Sequence, residues 1–181
     1  MKIITWNCHG AASKRFLRAA KWIVCKHRPN IFYLLETKMS SANADNVCIK
    51  LGFDKWARVE ALGYSGSIWT LWYDILQVDI LNSHPQFVHM AIKEISGRKW
   101  NFSVVYGSPS LHLPKRLWSS LSRNKVLINH PWLIAGDFNA IVSNEESSNP
   151  YNPGGHKNGD FRTWIFNEAF VDLGFSGLEF M

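Results

Sequence analysis

The chain has 181 residues, the size of one ordinary domain, with room for a second only if both are small. With 46% hydrophobic and 19% charged residues it can bury a core, which excludes wholesale disorder, and uncharged apolar runs such as Ile31 to Leu35 are too short to span a bilayer. Twenty Lys and Arg against fourteen Asp and Glu leave a formal charge of +6. The excess is uneven: Met1 to Leu35 carries seven basic residues and Ile95 to Gly136 carries six, with no acidic residue in either window. Such windows fit a polyanion partner, and they also fit solvated helix faces.

The opening Met1-Lys2-Ile3-Ile4-Thr5-Trp6-Asn7 turns polar before a secretory-signal core can form, so an intracellular place in nucleus or cytoplasm is expected, with no membrane partner. Lys2 to Asn7 reads as a strand, being rich in β-branched and aromatic residues. From Ser13 to Arg28 the period changes to that of a helix, with Phe16, Leu17, Ala20, Ile23 and Val24 on one face, Ser13 as N-cap and Pro29-Asn30 as the stop. Ile31 to Leu35 is then a buried strand, and strand, helix and strand predict a crossover with a parallel pair. Five strand-like segments follow, at Phe53 to Val59, Ser67 to Trp72, Ile75 to Leu81, Phe87 to Lys93 and Trp100 to Tyr106, whose short connections predict antiparallel pairing. A basic amphipathic helix from Leu113 to Asn124, a buried strand from Trp132 to Gly136, a polar loop from Ser143 to Gly159 and a helix from Asp160 to Val171 complete the reading. The class is an α/β layered sandwich in a single domain spanning 1–181. Cys8, Cys25 and Cys48 lack the close pairs of a zinc or redox site and read as reduced core thiols, and most of the nine tryptophans read as core.

Four places interrupt apolar strands with polar or ionisable groups: Trp6-Asn7-Cys8-His9-Gly10, Leu35-Glu36-Thr37-Lys38, Val105-Tyr106-Gly107-Ser108-Pro109 and Ala135-Gly136-Asp137-Phe138-Asn139. In layered α/β folds, ligands bind beyond strand ends, where loops supply side chains without cutting the core. In extended chain Asp137 and Asn139 project to the same side. A carboxylate at the end of a buried run, as at Glu36 and Asp137, is costly unless a metal, a cation or hydrogen bonds compensate it. A hard carboxylate with amide oxygens nearby suits Mg²⁺. Each residue alone also has a plain structural reading: Asp-x-Asn is common in turns, and Tyr106 is the kind of residue that fills cores.

Taken in order, Trp-Asn-Cys-x-Gly, Leu-x-Glu-Thr-Lys, Val-Tyr-Gly-Ser-Pro and Gly-Asp-Phe-Asn resemble the endonuclease/exonuclease/phosphatase superfamily, most nearly the endonuclease domain of plant LINE-type (non-LTR) retrotransposons. The stretch from Val171 to Gly177 is similar to the segment that follows Gly-Asp-Phe-Asn in those elements, and the resemblance runs over essentially the whole chain. It implies an αββα sandwich and hydrolysis of a phosphodiester in DNA, with RNA as another possible partner, and it leaves the oligomeric state open. Glu36 would bind Mg²⁺ or Mn²⁺ with Asn7 beside it. Asp137 would orient or deprotonate the attacking water, Asn139 would position Asp137 and the scissile phosphate, and Tyr106 would hydrogen-bond that phosphate.

The family's further parts, a closing Ser-Asp-His among them, have no counterpart before Met181. The expectation is therefore a C-terminally truncated domain whose second half lacks its closing strands and whose turnover is weak or absent. His9 stands where relatives carry Arg or another polar residue. A noncatalytic nucleic-acid-binding remnant is the competing function, to be separated by metal dependence, and a phosphoinositide, sphingolipid or RNA-tail substrate is a third reading.

Overall fold

In the computed structural model the described residues are 1–60, 67–107, 114–143, 146 and 155–174, and they form eight strands, four α-helices and one 3₁₀ turn. They divide into two compact units, Met1–Tyr106 with Val126–Asp137, and Gly107–Lys125 with Phe138–Met181.

The first unit begins with the expected crossover. Strand β1 (Ile3–Asn7), helix α1 (Lys14–His27) and strand β2 (Ile31–Leu35) follow one another, and β1 runs parallel to β2 from Ile3↔Ile31 to Asn7↔Leu35. Ser13 caps α1 by accepting the Phe16 N–H at 2.9 Å, and Arg28 ends it in the left-handed conformation. Helix α2 (Ser41–Leu51) was not expected from the sequence. Its buried residues Ala44, Cys48 and Leu51, with Val47 half-buried beside them, do keep helical spacing, but two of them are small and Asn43, Asp45 and Asn46 break the apolar run, so the periodic signal is faint. Strands β3 (Lys55–Val59) and β4 (Ile68–Trp72) complete a sheet of order β1-β2-β4-β3.

The second sheet has the order β5-β6-β7-β8, formed by β5 (Gln77–His84), β6 (Phe87–Lys93), β7 (Lys99–Tyr106) and β8 (Trp132–Asp137). The short connections give antiparallel pairs β3–β4, β5–β6 and β6–β7, but the one from β4 to β5 passes between the two sheets without pairing, and β7 and β8 run parallel from Asn101↔Trp132 to Tyr106↔Asp137. Strand β5 sits later than expected and carries a register shift between Ile80 and Asn82. It is a largely exposed edge strand, where apolar pattern is a weak guide to boundaries.

Alternation along β2 builds both layers of the core. Ile31, Tyr33 and Leu35 face the second sheet and pack with Val88, Met90, Phe102 and Val104, the Tyr33 and Phe102 rings stacking at 4.9 Å. Phe32 and Leu34 point the other way, onto Phe16 and Ala20 of α1 and Ala44 and Cys48 of α2. The unit is thus helices, sheet and sheet in layers, as the α/β sandwich predicts. The core reading of Cys25 is corrected, and Trp22 is a tryptophan outside the core. Cys25 lies on the exposed face of α1 while Cys48 is buried and Cys8 partly so, and Trp22 is 57% exposed, stacked under Lys26 at 4.4 Å. Both fall between the buried rows of the helix.

The second unit packs α3 (Pro114–Arg123) on α4 (Gly155–Glu168). Trp118 stacks on Phe161 and on Trp164, each at 4.9 Å, and Ser122 receives the Trp164 indole N–H at 3.0 Å while donating to Glu168 at 2.6 Å. The polar loop expected from Ser143 to Gly159 lies outside the described residues except at 143, 146 and 155–159, and the last five belong to α4. The side chains of His156 and Lys157 also lie outside them, as do His112, Ser108, Pro109 and 175–177. Among the described residues no helix is long and apolar enough to cross a membrane.

Candidate active site

Two parallel pairs, β1 with β2 and β7 with β8, each bring two carboxyl-terminal strand ends side by side. Asn7 ends β1, Glu36 follows the last residue of β2, and Tyr106 and Asp137 are register partners at the ends of β7 and β8. The first sheet therefore supplies Asn7 and Glu36, and the second supplies Tyr106 and Asp137. They meet on one side chain: Asn7 Nδ2 donates to Glu36 Oε1 at 2.9 Å and to Asp137 Oδ2 at 2.8 Å. Glu36 and Asp137, one from each sheet, share that donor.

The turn after β2 aims Glu36 inward. Glu36 and Lys38 both hold left-handed φ angles, 53° and 49°, which non-glycine residues adopt at a cost of about 1 kcal/mol each. The turn is tied down by the buried Thr37, whose hydroxyl hydrogen-bonds Ser67, and by Lys38 N–H to Ser67 Oγ at 3.0 Å. Ala11 N–H donates to the Thr37 carbonyl at 2.7 Å and anchors the loop after β1 to the same turn. On β8, Gly136 has φ 150°, and a Cβ there would overlap the Val105 carbonyl; only glycine lets β8 come this close to β7 just before Asp137.

Burial of the Glu36 side chain, 13% exposed, works against its ionisation. Hydrogen bonds from Asn7, Tyr106, His9 and Lys38 outweigh it and hold the carboxyl down at about 2. His9 Nδ1 lies 3.2 Å and Lys38 Nζ 3.3 Å from Glu36 Oε2. The Tyr106 hydroxyl is pushed well above its usual range by burial, by its hydrogen bond to Glu36 and by the charges of Glu36 and Asp137. It is thus kept as a neutral O–H donor. Burial likewise raises the Cys8 thiol to about 11, so Cys8 is no nucleophile, although its Sγ reaches the Leu35 carbonyl at 3.2 Å.

The sequence-predicted residues Asn7, Glu36, Tyr106 and Asp137 come together. Asn139 belongs to the second unit, where its Nδ2 donates to the Gly107 carbonyl at 2.8 Å. The expectation that Asp137 and Asn139 share a side of an extended strand is corrected, because β8 ends at Asp137 and Asn139 turns left-handed at φ 47°. Sequence reasoning did not single out Lys38 or Ser67. Lys38 carried a signal, following Glu36 by two in a polar interruption. Ser67 carried none, because its role depends on the pairing of β2 with β4.

Among the described residues no group of three or more His, Cys, Asp and Glu is placed to hold a metal. The donor set that does converge, one nearly buried carboxylate with a carboxamide beside it and a second carboxylate within reach of the same amide, fits a hard divalent ion that keeps most of its waters. Chemically, the arrangement offers a fixed anion, a proton acceptor and a phenolic donor at one strand-end crevice.

The endonuclease/exonuclease/phosphatase family profile matches residues 4–177. No curated protein sequence matches the chain. Among solved structures it is similar to the AP endonuclease LMAP from Leishmania major, with 16% identity over 91% of this chain and 66% of that one and a TM-score of 0.65. It is similar to the 3' phosphatase NExo from Neisseria at 14% identity over 92% and 70%, TM-score 0.65, and to the endonuclease domain of TRAS1, a telomere-specific non-LTR retrotransposon, at 12% over 90% and 71%, TM-score 0.60. Another solved structure is matched over only 50% of its own length. At these identities the structures establish a shared fold, and the profile spans nearly all of the chain. The chain therefore belongs to the endonuclease/exonuclease/phosphatase family.

Proposed function

We propose that the chain is a divalent-metal-dependent phosphodiesterase domain that cuts DNA, of the kind carried by non-LTR retrotransposons, with its two units forming one domain over 1–181. The observation that carries this reading is the meeting of Glu36 and Asp137, from different sheets, on the Asn7 carboxamide. The order of the four motifs and the likeness to the TRAS1 endonuclease domain favour the retroelement source. A DNA substrate places its work in nucleus or cytoplasm.

Glu36, with the Asn7 carboxamide oxygen beside it, would hold Mg²⁺ or Mn²⁺, which supplies charge neutralisation and polarisation at the scissile phosphate. Asp137 accepts the proton of the attacking water, and the shared Asn7 hydrogen bond keeps its carboxylate aimed. Tyr106, with its proton held firmly, donates to the phosphate oxygen on which charge grows. Asn139, two residues beyond Asp137 in the Gly-Asp-Phe-Asn motif, keeps the positioning role that the family resemblance gives it. The test is nicking of supercoiled plasmid with Mg²⁺ or Mn²⁺. Nicking that is abolished by EDTA and by Glu36→Ala supports the reading, and nicking indifferent to both overturns it.

One feature favours the noncatalytic alternative: Lys14, Arg15, Arg18 and Lys21 lie with Trp22 on the exposed face of α1, a surface suited to nucleic-acid backbone. That reading predicts salt-sensitive DNA binding that EDTA leaves unchanged.

A further inference from the structure

We propose that His9 is a nitrogen ligand of the divalent ion at Glu36, and that it makes this site prefer Mn²⁺ to Mg²⁺. The inference rests on the metal-site reading above and adds a ligand and a selectivity to it.

The geometry starts with the loop after β1. His9 is held at φ 50°, a left-handed conformation that histidine, like asparagine, takes more readily than most non-glycine residues, and Gly10 follows at φ 123°. This double turn folds the imidazole back over the strand end. Its Nδ1 then lies 3.2 Å from Glu36 Oε2, while the His9 backbone N–H points to Asn7 Oδ1 at 3.4 Å. Adjacent ligand atoms on an octahedral ion, each about 2.1 Å from it, are about 3 Å apart, so the imidazole nitrogen and the carboxylate oxygen already sit at the separation of two neighbouring ligands. The ring is 71% exposed, so its place over Glu36 comes from the Nδ1–Oε2 contact and not from packing against the core. Lys38 Nζ, 3.3 Å from the same oxygen, is on a side chain 55% exposed and is free to swing away when a cation takes its place.

The chemistry sets the selectivity. Mg²⁺ takes oxygen ligands and gains little from an imidazole; Mn²⁺ also favours oxygen but, as a first-row transition ion, gains more from an added nitrogen than Mg²⁺ does. A site of one carboxylate and one carboxamide oxygen discriminates weakly between Mg²⁺ and Mn²⁺. Adding the His9 nitrogen tilts it toward Mn²⁺.

The test is Mn²⁺ binding by the full chain, followed by electron paramagnetic resonance, with Mg²⁺ affinity measured by competition. His9→Asn is the informative variant, because asparagine tolerates the left-handed backbone and the loop keeps its course. The wild type is expected to show spin-echo modulation from a directly bound imidazole nitrogen, altered by ¹⁵N-histidine labelling. His9→Asn is expected to lose that modulation and to weaken Mn²⁺ binding about 10-fold while Mg²⁺ affinity stays within about 3-fold. Glu36→Gln is expected to lose both ions. Mn²⁺ binding that needs Glu36 but shows no nitrogen coupling, or that His9→Asn leaves unchanged, overturns the role of His9 and leaves the proposed function standing. No Glu36-dependent binding of either ion overturns both.

Discussion

Replacing Glu36 by glutamine tests whether its neighbours hold a charge or merely a shape. The Glu36 carboxyl sits at about 2 against an ordinary 4.5, because the hydrogen bonds of Asn7, Tyr106, His9 and Lys38 outweigh the cost of burial. At about 1.4 kcal/mol per tenfold in proton affinity, the folded chain favours the ionised group by on the order of 3 kcal/mol at neutral pH. The folded value is depressed, so this stability is fully present above 4.5 and is lost as the pH falls toward 2. At pH 3 about 1 kcal/mol of it remains by the same linkage. Glu36→Gln removes the titration and keeps the outline of the side chain, so its stability deficit relative to wild type should shrink by about 2 kcal/mol between pH 7 and pH 3. Urea unfolding followed by tryptophan fluorescence in EDTA measures the deficit at each pH, and every other titrating group cancels in the difference. A deficit that stays constant over this range, or no deficit at pH 7, would refute the claim that these four donors stabilise a carboxylate.

His89 is fully buried on β6 with Nδ1 2.8 Å from Ser103 Oγ, and burial lowers its ring to about 4 from 6.5. Its neutral form is the native one, so stability should fall by up to about 3 kcal/mol as the pH drops from 6.5 through 4, and acid titration of His89→Gln should lack that component. Gly136→Ala should cost about 3 kcal/mol or more, read as a lowered thermal midpoint, since both its φ of 150° and the Val105 carbonyl oppose a Cβ; a midpoint within a degree or two of wild type would contradict the close approach. In the native chain, Ellman's reagent should titrate Cys25 quickly and spare Cys48, which is buried with its thiol raised to about 12; equal rates would mean that α2 does not stay packed.

Much of this was legible in the chain itself. β2 was readable because Ile31 to Leu35 is an unbroken apolar run, and α1 because its apolar residues keep helical spacing between Ser13 and Pro29. These are local signals: period, capping and turn chemistry act within a few residues. The candidate site residues stood out for a related reason, since a carboxylate or amide that ends an apolar run needs an explanation wherever the chain goes next. The weaker signals failed in physical ways. The buried row of α2 is made of Ala44, Cys48 and Leu51, too slight a pattern to see, while Trp22 and Cys25 resemble core residues in kind and face outward only because of their angle around α1.

Tertiary structure alone decided which of these groups act on one another. Asn7 and Asp137 are 130 residues apart, and no local property of either brings them within 2.8 Å. Two parallel strand pairs in facing sheets do, by placing four carboxyl-terminal ends at one edge of the sandwich. The same holds for Ser67 under Thr37 and for the pairing of His9 with Glu36. Hydrogen bonds and charges act over a few ångströms of space, so sequence specifies which groups are available, and strand register and sheet packing specify their partners.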